Sequence, residues 1–226
     1  MKTLVVIPAY NEEETILNVV KEVIKYKFDF LVVNDCSTDN TKKILDDNRI
    51  NHLDLPVNLG IAGVTQAGFK YAKDNNYEGV VCIDGDGQHL PSYINKLTEQ
   101  LENGCDYVVG SRFVDEKKPI SSRMIGSRLI CFFIKIKTGK TVTDPTSGMR
   151  AAGKKIIEEF AESMNFYAEP DTVCYLINRG YKIKEVQVEM QERQGGESYF
   201  KNPFKSLYYM LAVLLSIFFI QNGEKL

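Results

Sequence analysis

None of the five cysteines in this chain (Cys36, Cys82, Cys105, Cys131, Cys174) forms a Cys-x-x-Cys pair. Paired-thiolate metal and dithiol redox sites are thereby set aside, and thiols in or beside apolar runs fit burial in a reduced, cytosolic compartment. No stretch reaches the roughly 20 apolar residues that span a bilayer; the uncharged run Leu207 to Ile220 is fourteen residues long. The N-terminal run Thr3 to Pro8 is too short for a signal peptide and lacks a small-residue cleavage site, so export is not expected. A strong charge of either sign is missing too, with 28 Lys and Arg against 30 Asp and Glu. What remains is a chain of 226 residues, 44% hydrophobic and without a long low-complexity run, enough for one domain or one domain with a small appendage.

The balanced charge is unevenly spread. Residues 112 to 155 hold eleven Lys or Arg against Asp115, Glu116 and Asp144, a local net of +8. Such a segment suits an anion, whether nucleic acid, a membrane surface or a polyphosphate, unless it is only a solvated face.

Strand and helix patterns alternate through the first half of the chain. Leu4 to Ile7 reads as a strand, and Asn11-Glu12-Glu13-Glu14 as the capped start of a helix with the stripe Ile16, Val19, Val20, Val23, Ile24. Phe30 to Val33, His52 to Leu55, Val80 to Ile83 and Tyr107 to Val109 are further strands, with helices from Ser37 or Asp39, from Ala62 to Lys73 and from Pro91. This order predicts a parallel α/β sheet covered on both faces, with ligands outside the carboxyl ends of its strands.

Polar clusters fall at those ends. Asp84-Gly85-Asp86-Gly87-Gln88-His89 directly follows Val80 to Ile83. Two carboxylates one residue apart suit a hard divalent cation completed by substrate phosphates. An Asp-Gly turn is the plainer alternative. An EF-hand loop is excluded, since its sixth and twelfth positions would be His89 and Asn95 rather than Gly and Glu. Pro8-Ala9-Tyr10-Asn11-Glu12 and Asn34-Asp35-Cys36-Ser37-Thr38-Asp39 follow the first two strands. Each is explained singly by a cap or turn; three clusters together point to one crevice.

Taken with Asn58-Leu59-Gly60, Gly110-Ser111-Arg112, Asp144-Pro145-Thr146-Ser147-Gly148-Met149-Arg150 and Arg193-Gln194-Gly195-Gly196-Glu197-Ser198, these motifs resemble the inverting GT-A glycosyltransferases of family 2, in particular polyprenyl-phosphate sugar transferases. The resemblance covers about residues 3 to 200, and departs from the family pattern at Cys36, where Gly is frequent, and Tyr199, where Lys is frequent. It implies a GT-A catalytic domain over 1–200, containing a basic amphipathic segment 117–140, and an apolar C-terminal helix over 201–226. Pro8, Ala9, Tyr10, Glu12, Asp35 and Asp84 would line the nucleotide. Asp84, Asp86 and Gln88 would hold Mg2+ or Mn2+. Arg112, Arg123, Arg128, Arg150, Arg193 and Ser198 would meet donor and acceptor phosphates, guanidinium being a planar fork for phosphate oxygens. Catalytic roles fall to Asp86, Asp144 and Asp171.

The implied reaction is inverting displacement at a sugar's anomeric carbon, from a nucleotide-sugar, UDP-sugar favoured, to a polyprenyl phosphate such as undecaprenyl phosphate. An anionic phosphate acceptor needs no strong base, whereas a glycan hydroxyl, the alternative acceptor, does; Asp144, Glu169 and Asp171 are candidates for that task. A sugar nucleotidyltransferase is disfavoured because Pro8-Ala9-Tyr10-Asn11 is no Gly-rich phosphate loop. A non-catalytic nucleotide-sugar or lipid-binding subunit is the remaining alternative. Ser121 to Lys140 interleaves Met124, Ile125, Leu129, Ile130, Phe132, Phe133, Ile134 and Ile136 with five cations, suited to an anionic lipid surface. Leu207 to Ile220 reads as an interfacial anchor, a contact for a small membrane protein, or an oligomer interface. These features place the chain at the cytoplasmic face of the membrane, with no nucleic-acid partner.

Overall fold

Thr3 to Ala9 offers no polar side to water, and all seven residues are buried. A strand apolar on both faces belongs in the middle of a covered sheet. A computed structural model describes residues 1–162, 170–192 and 203–220 and puts this strand there. The strands are β1 (Thr3–Ala9), β2 (Asp29–Asn34), β3 (His52–Asp54), β4 (Gly79–Cys82), β5 (Tyr107–Ser111), β6 (Arg150–Gly153) and β7 (Ile183–Gln187). They form one sheet in the order β3-β2-β1-β4-β6-β5-β7.

Helices α1 (Ile16–Lys25), α2 (Thr41–Asp47) and α4 (Ile94–Glu102) cover one face, packing Ile16, Val20, Leu45, Ile94 and Leu97 on Val5 and Ile7. The other face carries α3 (Gly60–Asp74), α5 (Ser122–Thr138), α6 (Lys154–Glu162), α7 (Pro170–Asn178) and α8 (Pro203–Leu215), the last running into a π-helical turn at Ser216–Ile220. Alternation along β1 sends Leu4 and Val6 to this second layer. There α3 lies so close that a Cβ on Gly68 would stand 2.6 Å from Val6 Cγ1. The fully buried Phe160 of α6 meets the Phe69 ring edge-on at 5.4 Å.

The expected parallel pairing holds for β1–β2, β2–β3, β1–β4 and β5–β7, while β6, a strand not read from the sequence, runs antiparallel to both β4 and β5. Reversal puts the start of β6 where its neighbours end, Arg150 opposite Cys82 and Val109. The loop before β6 therefore reaches the same sheet edge as the loops after β1, β2, β4, β5 and β7. The first helix also begins later than its cap signal, at Ile16, because Asn11 adopts a left-handed φ of 56° that cannot start a helix.

The basic segment forms α5, capped at its start by Ser121, whose side chain accepts from the Met124 amide, and ended by left-handed Gly139. Ile130 and Ile134 enter the core while Ile125, Leu129, Phe132 and Ile136 lie exposed on one stripe. Beside it, α8 and its π turn bury Val213 and Ile217 and expose Tyr208, Leu211, Leu215 and Phe219. Phe133 and Phe218 pack edge-on between the two helices, 5.4 Å apart. Among the described residues, no helix is long and apolar enough to cross a membrane.

Candidate active site

The loops after β1, β2 and β4 are tied together by their own polar side chains. Asn11 Oδ1 accepts from the Thr38 amide at 2.8 Å, and the Glu12 amide donates to Thr41 Oγ1 at 2.8 Å. The buried Thr15 hydroxyl lies 2.9 Å from Glu12 Oε2 and 2.8 Å from the Gly85 carbonyl, fastening the acid loop to the start of α1. A Cβ on Gly85 would stand 2.7 Å from the Pro8 carbonyl, so glycine there permits the close approach. Pro8 and Ala9 are buried in β1; Tyr10 is exposed at its end. Asp35 accepts the Leu59 amide at 2.7 Å and the Gly60 amide at 2.9 Å, anchoring the N-terminus of α3 with one oxygen each.

Within the acid loop, Asp86 is buried and its Oδ1 accepts the Gln88 amide at 3.0 Å. Asp84 is partly exposed, and its amide donates to Nδ1 of buried His89 at 2.9 Å. That bond makes Nδ1 an acceptor and assigns the neutral ring's proton to Nε2. Gly148 closes on this pair from the loop before β6: a Cβ there would lie 2.9 Å from Asp84 Oδ2 and 3.0 Å from His89 Cε1. Gln88 Nε2 reaches the Gln191 carbonyl at 3.4 Å. Burial and the nearby Asp84 charge push the Cys82 thiol up to about 12, so it stays protonated behind the loop. No group of three or more His, Cys, Asp or Glu is arranged for a metal among the described residues. Two carboxylates suit a hard cation whose other positions are filled by substrate phosphates and water.

The cationic side is built around Arg112, which follows β5. Its Nε donates to Asp144 Oδ2 at 2.7 Å and an Nη to Asp144 Oδ1 at 2.9 Å. Asp144 is fully buried, and Thr146 Oγ1 adds a bond at 3.0 Å. The fork thus engages both oxygens of this carboxylate. Arg150 stands at the start of β6. It is only 2% exposed and donates inward, to the Ser147 carbonyl at 2.7 Å, the Pro145 carbonyl at 2.7 Å and the Tyr107 hydroxyl at 3.4 Å. These bonds tie the start of β6 to the loop before it.

Arg128 donates to the Lys118 and Pro119 carbonyls, stapling that loop to α5, and Arg123 lies in the first turn of α5. Asp171, at the start of α7, accepts from Ser216 of the π turn at 2.5 Å. Arg193, Ser198 and Glu169 lie outside the described residues. Thr15, His89 and Glu185, whose contacts organise the site, were not singled out in the sequence. His89, one of only two histidines and adjacent to the acid motif, offered the clearest signal.

Solved structures share this architecture. Glucosyl-3-phosphoglycerate synthase from Mycobacterium tuberculosis, in complex with Mn2+, UDP-glucose and phosphoglyceric acid, superposes with a TM-score of 0.71 over 96% of this chain and 79% of that one, at 20% identity. A sheet that gathers an acid pair and an arginine fork at one edge, in this topology, defines a GT-A glycosyltransferase. The chain belongs to glycosyl transferase family 2, whose profile it matches over residues 4–160. Among its relatives are the undecaprenyl-phosphate mannosyltransferase of Micrococcus luteus, 30% identical over 88% of this chain and 87% of that protein, and the polyprenol monophosphomannose synthase of Mycolicibacterium smegmatis, 27% identical over 87% and 80%. The UDP-N-acetylglucosamine–dolichyl-phosphate N-acetylglucosaminyltransferase of Methanococcus voltae is 32% identical over 70% and 72%.

Proposed function

We propose that this glycosyltransferase moves a sugar, with inversion, from a nucleotide-sugar, UDP-sugar favoured, to a polyprenyl phosphate, undecaprenyl phosphate in particular, at the cytoplasmic face of the membrane. The observation that carries the reading is the Arg112 fork, held by a buried carboxylate at the same sheet edge as Asp84 and Asp86. The names of the three relatives, two of them dolichyl- or undecaprenyl-phosphate transferases and one a polyprenol monophosphomannose synthase, support the acceptor class.

In this reading Tyr10 offers a ring to the base, while Pro8, Ala9, Glu12 and Asp35 frame the nucleoside. Asp84 and Asp86, with Gln88 beside them, hold Mg2+ or Mn2+. Such an ion supplies charge stabilisation for the leaving diphosphate. Arg112 binds phosphate oxygens through its planar N–H groups, and Arg123, Arg128, Arg193 and Ser198 are assigned to the same acceptor side. A phosphate monoester, with its second pKa near 6, attacks as an anion. Asp144 is committed to Arg112 and Asp171 accepts from Ser216, so neither is displayed as the base that a hydroxyl acceptor requires. Residues 1–200 form the catalytic unit, and 201–226 with α5 dock on the lipid surface.

The test is incubation of purified protein with Mg2+ or Mn2+, undecaprenyl phosphate and a panel of UDP- and GDP-sugars, with products followed by mass spectrometry beside Asp86→Ala. A glycolipid that needs the ion and is lost in the variant is the expected result. Transfer only to glycan hydroxyls would overturn the acceptor assignment.

A further inference from the structure

We infer that Glu185 and Gln187 of β7 are positioning residues that hold Arg112 in its phosphate-binding orientation; this rests on the reading of Arg112 given above. Arg112 and Asp144 both sit on irregular backbone, one just after β5 and the other in the loop between α5 and β6. An arginine on a loop has many rotamers to lose when it binds, unless the fold restricts them beforehand. Here the restriction comes from one strand. Glu185 accepts two consecutive backbone amides of the loop, Thr143 at 2.7 Å through one oxygen and Asp144 at 2.8 Å through the other. Bonds from amides to an ionised carboxylate are among the strong ones, and two from adjacent residues define both the position and the tilt of the loop.

Two residues further along β7, on the same face of the strand, Gln187 completes the bracket. Its Nε2 donates to the Arg112 carbonyl at 3.1 Å and its Oε1 accepts the Asp115 amide at 2.9 Å. The parallel register sets Glu185 beside Val109 and Gln187 beside Ser111. Ser111 Oγ also meets Thr143 Oγ1 at 2.6 Å, joining the two supported segments. The backbone of Arg112 and that of its carboxylate partner are thus both referenced to β7.

The geometry leaves the outer edge of the guanidinium for a ligand. Asp144 occupies Nε and one Nη, and the other Nη has no hydrogen-bond partner among the described residues. The Arg112 side chain keeps 21% of its surface open. A planar pair of donors in a fixed plane fits two oxygens of one phosphate.

The test compares Glu185→Gln, Arg112→Lys and the double variant in the full-length protein, with undecaprenyl phosphate as acceptor. Gln at 185 keeps the shape but turns an NH2 toward one of the two amides. The expected result for Glu185→Gln is a rise of about tenfold in acceptor KM, the scale of one charge-assisted hydrogen bond, with UDP affinity unchanged. Arg112→Lys is expected to raise acceptor KM at least as much, and the double variant to be no worse than Arg112→Lys, because both substitutions remove one interaction. An unchanged acceptor KM in Glu185→Gln, or losses that multiply in the double variant, would overturn the bracket while Arg112 keeps its role. An unchanged acceptor KM in Arg112→Lys would overturn the phosphate reading and the bracket with it.

Discussion

Cys36 shows how a single residue can be out of step with its backbone. It sits in the motif after β2 with φ of 57°, a conformation that costs an L-residue roughly 1–2 kcal/mol and glycine little. Glycine at this position would adopt the same backbone without that cost. Cys36→Gly is expected to raise stability by up to about 1 kcal/mol, since the relief of strain is partly offset by the freer unfolded chain; a urea titration of both proteins measures it. Gly148 is the opposite case, in which glycine is needed for space, because a Cβ would press on Asp84 and His89. The acid pair itself was legible in the sequence because two carboxylates beside glycines after an apolar run form a local pattern. The pairing of Asp144 with Arg112 was not, because the two lie 32 residues apart.

Among the elements, α5 and α8 present the unusual surface. Each buries one apolar face and shows another, the two helices meeting through Phe133 and Phe218, with Lys135 and Lys137 in the last turn of α5. Apolar residues among cations suit insertion at an anionic interface without spanning it. Replacing Phe132 and Phe219, 58% and 75% exposed, with Ser is expected to weaken binding to anionic phosphatidylglycerol vesicles by at least tenfold, as burying one large apolar side chain is worth about 1.5–3 kcal/mol. Sedimentation with vesicles checks this, and unchanged binding would shift the docking face elsewhere. The first helix was readable from its 3.6-residue stripe, whereas α6 and α7 were not singled out in the sequence. Strands β6 and β7 were not: Arg150–Gly153 is four residues ending in Gly, and Ile183–Gln187 carries Lys184, Glu185 and Gln187. Their strand character comes from pairing with β4 and β5, not from local preference.

For the whole molecule, acid should loosen the β2–β3 side of the sheet. Burial raises the Asp54 carboxyl, but bonds from Asn34 and Lys42 and the charges of His52 and Lys42 outweigh it, leaving the group below its ordinary value. Asp39 is likewise lowered, burial being outweighed by its bonds with Thr41 and Glu13. A carboxyl lowered by folding stabilises above its unfolded pKa, near 4, and that contribution disappears as pH falls through the folded value. Asp54→Asn is therefore expected to be less stable than wild type at pH 6, with the gap closing toward pH 3; urea midpoints at both values test the sign. By itself the sequence determined the alternation of strands and helices in the first half of the chain, a strand at Leu4 to Ile7 and the family, because each is written in local periodicity or contiguous motifs. Only the tertiary structure decided that Asp144 clamps Arg112, that Arg150 turns inward and that β7 braces the site. Those outcomes depend on the reversal of β6, which brings residues distant in sequence to one edge of the sheet.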